Sequence, residues 1–342
     1  MTASDRSTEP VAVGLIGAGG IGTFHGESLA RRVHGTRLAA IADPAPGVAD
    51  ALAATLGCDA TYDDTADLIA DDRVEAVLIA APARVHADLV VAAAAAGKAV
   101  FCEKPMAVTL DQVDRAVKAA ADVPLQVGFN RRFDRSFRAA HDMVVEGRLG
   151  TPQLMRSLTR DPGIPDPGAV PPSTIFLETL IHDFDVLRYL NPGAEAVDVY
   201  AVADALAYPA FADRGLQDTA VVMVRFDNDS IATAEANFNA VYGYDIRAEV
   251  FGSGGMVTAG DMRSTTATYF GAEGVVSRGW QRNIDLFHDA YVAQLETFAA
   301  CVRDGTLPPV TGRDAAAALT IALAAIRSAE EGRPVRIDEL TG

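Results

Sequence analysis

An α/β domain followed by a mostly antiparallel α+β domain is predicted by three features of the 342-residue chain. Short, wholly apolar runs alternate with helical stretches over the first 130 residues, and a glycine-rich turn ends the first of these runs. Beyond about residue 150, strand-like runs follow one another with few helices between them. Apolar strands separated by amphipathic helices are the pattern of a parallel sheet covered on both faces.

In the first part, strands are expected at 11–18, 38–42, 76–81, 99–102 and 125–129. Helices are expected around 21–32, 47–56, 66–70, 87–96 and 110–121. Gly97 stops the alanine-rich helix and Pro124 opens the next strand. In the second part, strands are expected at 154–159, 197–203, 219–226, 231–238, 246–251 and 265–270. The short polar turns Asp227-Asn228-Asp229 and Ser253-Gly254-Gly255 are typical of hairpins. Val222, Val224 and Phe226 alternate with Met223 and Arg225, which gives one buried and one wetter face. Helices at 290–303 and 315–331 close the chain.

Composition narrows the function. Lys+Arg 29 against Asp+Glu 46 leaves a net charge of −17 with no basic run, which argues against nucleic acid or an anionic membrane as partner. Residues 1–10 are polar and unlike a secretory signal. The longest apolar run, 89–96, is far short of the ~20 residues that span a bilayer. Cys58, Cys102 and Cys301 are widely spaced with no Cys-x-x-Cys pair, which fits a reducing cytoplasm. The six histidines are scattered singly, so no catalytic metal is expected.

The first strand runs into Gly17-Ala18-Gly19-Gly20-Ile21-Gly22, a G-x-G-x-x-G that opens a helix. Gly17 permits a tight turn, Gly19 lets the backbone approach a pyrophosphate, and Gly22 lets helix and strand pack closely. The second strand ends in Asp43, 21 residues beyond Gly22, the expected spacing of the carboxylate that binds adenosine ribose hydroxyls. A carboxylate there repels a 2′-phosphate, and Pro44-Ala45-Pro46 offers no cation to neutralise one. NAD is therefore expected as cofactor.

The fifth strand ends in Cys102-Glu103-Lys104-Pro105, where ligands bind in such sheets. Ala81-Pro82 ends the preceding strand and His86 follows shortly after. In the second part, a helix with ~100° per residue over 178–190 puts Glu178, His182, Asp185 and Tyr189 on one stripe. Leu180, Phe184 and Leu187 anchor it from the opposite face, and Ser173 or Thr174 caps its start.

With its Gly17–Gly22 turn and the stretches 96–105 (through Glu103-Lys104-Pro105), 128–134 and 181–185, the chain resembles the glucose–fructose oxidoreductase/inositol dehydrogenase/rhizopine-catabolism (Gfo/Idh/MocA) family. The resemblance implies a Rossmann domain at 1–129 and, at 130–342, an α+β substrate-binding and oligomerisation domain on an open, mostly antiparallel sheet. The C-terminal helices are candidates to pack back on the first domain. It also implies nicotinamide-dependent oxidation or reduction of polyols and sugars in homodimers or homotetramers. Phe129–Asp134, Arg160-Asp161-Pro162 and Tyr242-Gly243-Tyr244-Asp245-Ile246 resemble the inositol dehydrogenase branch. One position departs: the branch usually carries Asp four residues before the helix histidine, and this chain carries Glu178.

The reading is an NAD-dependent dehydrogenase that oxidises a ring hydroxyl of a cyclic polyol, foremost an inositol. His182 serves as general base, Lys104 stabilises the developing alkoxide, and Glu178 or Asp185 orients the imidazole. Asp161, Asp185, Asn130 and Tyr244 are substrate contacts. Gly17, Gly19, Gly20, Ile21, Gly22, Asp43, Ala81, Pro82, His86, Glu103, Lys104 and Arg131 are cofactor contacts. Trp280 is a further candidate to cover the nicotinamide. The alternatives are an aldose or pyranose dehydrogenase of the same family, a self-recycling oxidoreductase, and a nicotinamide-binding sensor without turnover.

Overall fold

Strands whose side chains are buried on both faces need cover on both sides, and four of the first six strands meet that condition along their whole length. In the computed structural model, which describes residues 9–164, 166–272 and 274–341, these are β1 (Val11–Ile16), β4 (Ala76–Ile79), β5 (Ala99–Cys102) and β6 (Leu125–Val127). The more exposed β2 (Thr36–Ala42) and β3 (Thr61–Tyr62) complete one edge. The sheet is wholly parallel, in the order β3-β2-β1-β4-β5-β6. That is the doubly wound order with its switch point between β1 and β4. One row across it reads Ile41, Leu15, Leu78, Phe101, Gln126.

Helices α1 (Gly20–Arg31), α2 (Val48–Leu56), α3 (Thr65–Ala70), α4 (Ala83–Ala95) and α5 (Leu110–Ala119) connect the strands. The two-residue β3 is a sixth strand that the apolar pattern does not announce, because it is short and only half-buried.

The chain divides into two compact units. The first takes residues 1–130 together with 289–316, and the second takes 131–288 with 317–342. Most of α9 (His288–Asp304) thus belongs to the parallel sheet. Leu295, Phe298 and Ala299 are buried among Val13, Leu15 and Phe101. The Phe101 and Phe298 rings meet edge to face at 5.8 Å, and Gln126 Nε2 donates to the Gln294 carbonyl at 2.8 Å.

In the second unit, α6 (Arg135–Val145) leads into a seven-stranded sheet. Its strands are β7 (Pro152–Arg160), β8 (Ala196–Asp204), β9 (Thr219–Phe226), β10 (Ile231–Asn237), β11 (Asp245–Gly252), β12 (Gly255–Ala259) and, later, β15 (Val335–Arg336). The order is β12-β11-β7-β10-β9-β8-β15. Only β7 and β10 run parallel; the other neighbours are antiparallel. Ala220, Val222, Val224 and Phe226 are buried, whereas Val221, Met223 and Arg225 are exposed, as the alternation requires. The buried face carries α7 (Ile181–Tyr189) and the turn before it.

Of the segment expected as one strand at 265–270, only Tyr269 and Phe270 are in a strand, within a separate hairpin of β13 (Tyr269–Gly271) and β14 (Gly274–Val276). The short helices α8 (Asn283–Leu286) and α11 (Asp338–Thr341), and the long α10 (Gly312–Glu331), complete the elements. Residues 1–8, most of the polar opening segment, and Pro165 of the proline-rich loop lie outside the described residues.

Replacing Phe298 by alanine removes a ring that is 2% exposed and leaves a cavity under the parallel sheet. Urea unfolding of Phe298→Ala is expected to show a loss of about 3–5 kcal/mol.

Candidate functional site

The carboxyl edge of the parallel sheet lines up four strand ends in spatial order: Asp43 after β2, the glycine turn after β1, Ala81-Pro82 after β4, and Lys104 after β5. Gly17 sits at φ +94°, and a Cβ there would lie 2.7 Å from the Ala80 carbonyl oxygen. A Cβ on Gly22 would lie 2.0 Å from the Gly17 carbonyl oxygen. Both glycines are thus demanded by close backbone approach. Gly19 and Gly20 face open space, and Gly19 caps α1 without a side-chain hydrogen bond. The helix start is an open cradle with its N–H groups and positive dipole end available to an anion.

Asp43 is part of that cradle. Its Oδ2 accepts the Ala18 N–H at 2.8 Å and its Oδ1 accepts the Ala45 N–H at 2.9 Å. The carboxylate is therefore tied to the turn itself, in the position that ribose binding needs. An open glycine cradle with an anchored acidic neighbour fits an adenine dinucleotide.

Two residues expected at the cofactor have other duties. The His86 ring, 1% exposed, lies 2.8 Å from the Pro105 carbonyl oxygen and 2.6 Å from that of Ala81. It clamps the ends of β4 and β5 together from inside. Glu103 is also buried; its Oε1 accepts from His25 Nε2 at 2.7 Å and its Oε2 from the Lys104 N–H at 3.1 Å. Burial pushes the Glu103 carboxyl up, but the hydrogen bond and field of His25, with the charge and N–H of Lys104, together hold it below its ordinary value. Lys104 and Ala81 are partly exposed and Pro82 is exposed, so these remain on the accessible rim. Asn130, the last residue of the first unit, is buried with its amide oxygen unpartnered.

In the second unit, the helix carrying His182 differs from the expected one. Residues Ile175–Leu180 form a π-helical turn that passes into α7. An α-helical rotation through Glu178 therefore does not describe its direction. Neither expected cap acts as one: Ser173 has φ +59°, and the Thr174 hydroxyl donates to the Pro171 carbonyl. Single π turns recur at functional sites, and this one contains Glu178 and ends two residues before His182, both half-buried. Leu180, Phe184 and Leu187 are buried, as the apolar face demands.

Sequence reasoning places Asp185 on substrate and Arg131 on cofactor; the structure pairs both within the second unit. Asp185, 1% exposed, accepts two hydrogen bonds from Arg132, at 2.8 and 2.6 Å. Arg132 also lies over the Tyr189 ring, which stacks on His141 at 4.0 Å. Arg131 donates to Asp183 at 2.9 Å and to the Thr159 hydroxyl at 2.6 Å. Asp183 accepts further from Ser157 and Thr159. The Arg131–Asp183 pair, through Ser157 and Thr159, fixes α7 against β7, and the Arg132–Asp185 pair fixes it to the turn at 130–133. Asp161 and Tyr244 lie together: burial, and then the Asp161 charge, push the Tyr244 phenol up to about 12. Tyr244 is thus a hydroxyl donor at any ordinary pH. Its N–H donates to the Trp280 carbonyl at 2.7 Å, so Trp280 braces this corner through its backbone.

His25 is the residue that sequence reasoning missed. Its signal is spacing, since Gly22, His25 and Leu29 share the sheet-facing side of α1.

Comparison with known proteins gives a consistent picture. The family model described as an oxidoreductase family with an NAD-binding Rossmann fold matches residues 11–130. A second, the GFO/IDH/MocA C-terminal domain, matches 137–258. The chain is 39% identical to a myo-inositol 2-dehydrogenase of Thermotoga maritima over 96% of this chain and 99% of that protein. It superposes on the crystal structure of a probable dehydrogenase from Thermotoga maritima with TM-score 0.92 at 38% identity, covering 96% of this chain and 100% of the other. It also superposes on scyllo-inositol dehydrogenase from Lactobacillus casei, solved with bound NAD(H) and scyllo-inositol, with TM-score 0.90 at 26% identity, covering 96% and 100%.

Two predictions follow from the buried charges. Asp183→Ala leaves the Arg131 guanidinium buried without its counter-ion, and urea unfolding is expected to show a loss of about 3–5 kcal/mol. Because Glu103 is depressed in the folded state, its contribution is present above the ordinary glutamate range and is lost as pH falls through the native value. The stability gap between wild type and Glu103→Gln is therefore expected to hold steady from neutral pH down to that range, then to close with further acidification.

Proposed function

Because the chain belongs to the GFO/IDH/MocA oxidoreductase family, we propose that it oxidises a ring secondary hydroxyl of an inositol with NAD. The observation that carries this reading is the row of strand ends along the parallel sheet, where the glycine cradle, Asp43 and Lys104 follow in order. The named activities of the inositol dehydrogenase relatives, found over nearly the whole chain, supply the substrate class.

Bound NAD supplies the hydride acceptor. His182 takes the proton of the reacting hydroxyl, and imidazole suits that work because its unperturbed pKa of ~6.5 lies near working pH. The Lys104 ammonium stabilises the alkoxide as it forms, an interaction strongest where water is excluded. Glu178 orients the imidazole. Asp161 and the protonated Tyr244 hold neighbouring ring hydroxyls, one as acceptor and one as donor. The extra methylene of Glu178 bears on which isomer fits, while the reaction stays the same. The three cysteines are free thiols, in keeping with work in the reducing cytoplasm.

The chain also self-associates through the uncovered face of its second sheet. Met256, Phe251, Leu154 and Ile231 are paired neighbours across four strands, and Val202–Val221 and Tyr200–Met223 are paired on two more. All are exposed. The charged residues between them neutralise one another, through Arg156–Glu235, Arg160–Glu235, Arg247–Asp245 and Arg225–Asp198. An apolar face with internally paired charges suits burial against a second copy.

Initial rates over inositol isomers and hexoses, with NAD and NADP in parallel, test the reaction. An inositol with NAD is expected to give the highest kcat/KM, and binding without cofactor reduction would refute the proposal. Lys104→Ala and His182→Ala are each expected to lower kcat by about 10²-fold or more, with NAD affinity nearly unchanged. For assembly, light scattering of Val221→Asp/Met223→Asp is expected to show a smaller species than wild type.

A further inference from the structure

His25 lies three residues beyond the glycine turn, on the helix that faces the dinucleotide, yet its ring is fully buried. Phe24, Phe101 and Tyr291 enclose it, with centroids 6.0, 5.8 and 5.7 Å away and all tilted edge to face. Such a box suits an apolar ring. A histidine there leaves Nδ1 buried without a hydrogen-bond partner, which is an unfavourable arrangement. The compensating contact is at the other nitrogen, where Nε2 donates to Glu103 Oε1 at 2.7 Å.

Glu103 is built into its place from every side. Its own N–H donates to the Ile79 carbonyl at 2.9 Å, continuing the β4–β5 ladder. Its second carboxylate oxygen takes the Lys104 N–H at 3.1 Å. Gly128 gives it room, since a Cβ there would lie 3.0–3.1 Å from all three carboxyl atoms. The glycine of Gly128-Phe129-Asn130 and the glutamate of Glu103-Lys104-Pro105 thus belong to one packing arrangement, and His25 is the donor that fixes its far end. A buried carboxylate next in sequence to a lysine also sets the field around that lysine's ammonium.

We propose that His25 is a positioning residue of the reaction: it anchors the Glu103 carboxylate, which in turn fixes the main chain and the charge environment of Lys104. The proposal rests on the reading that Lys104 takes part in turnover. It ties the dinucleotide helix to the reacting strand end through a single hydrogen-bonded chain, α1 to His25 to Glu103 to Lys104. His25 itself touches neither cofactor nor substrate.

The test is a double-mutant cycle in the full-length enzyme, assayed with NAD and myo-inositol or scyllo-inositol. His25→Phe fills the aromatic box but removes the donor, and His25→Gln keeps a donor. His25→Phe is expected to lower kcat by about 10- to 100-fold while KM for NAD stays within about threefold, and His25→Gln to recover most of the loss. The double variant with Lys104→Ala is expected to be no slower than Lys104→Ala alone, because residues that act through one another are not additive. A kcat for His25→Phe close to wild type, or a loss that adds fully to that of Lys104→Ala, overturns the proposal. If His25→Phe fails to fold, Glu103→Gln and His25→Gln carry the same cycle. Full turnover in Lys104→Ala refutes the underlying reading, and the proposal with it, whereas loss there with none at His25 refutes the proposal alone.

Discussion

The buried carboxylate of Glu103 is the constraint around which the first unit is organised. A charge removed from water must be matched by donors on the spot, and here they come from α1 through His25 and from the main chain of Lys104. Meeting that demand brings a fixed strand end to the edge where the glycine turn and Asp43 also lie. His86 makes a second tie, bridging the Ala81 and Pro105 carbonyls. The ends of β4 and β5 are therefore held by buried groups that bond to the protein itself.

The second unit follows the same physical logic with arginine. Asp183 and Asp185 lie two residues apart on α7, buried, and each takes an arginine from the adjacent pair Arg131-Arg132. Bidentate geometry makes the Arg132–Asp185 pair directional, so the helix bearing His182 is set in both position and rotation. The proposed reacting pair, Glu178 and His182, is half-buried on either side of the passage from π to α geometry.

The parallel domain is largely legible in the sequence because its rules are local. Apolar runs, helical stretches and the glycine turn each lie within a few residues, and right-handed crossovers then leave few topologies. That the C-terminal helices are candidates to pack on the first domain comes from the family resemblance; the residues alone do not name β1 and β5 as the neighbours of Leu295 and Phe298, because an apolar helix face does not name its partner. For the same reason Asp185 reads as a ligand contact: a polar stripe on a wheel shows that side chains share a face but not what meets them. The π turn escapes because no local composition marks it. His25 escapes because a lone histidine in an amphipathic helix looks ordinary until Glu103 is seen opposite it.

The central proposal is that the ammonium of Lys104 and the imidazole of His182 serve one ring hydroxyl. A crystal structure of the enzyme with NAD and scyllo-inositol bound tests it most directly. The account predicts both nitrogens within hydrogen-bonding distance of the same inositol oxygen, with its carbon facing nicotinamide C4. An inositol ring bound so that either nitrogen is out of reach of the oxidised carbon's hydroxyl would contradict it.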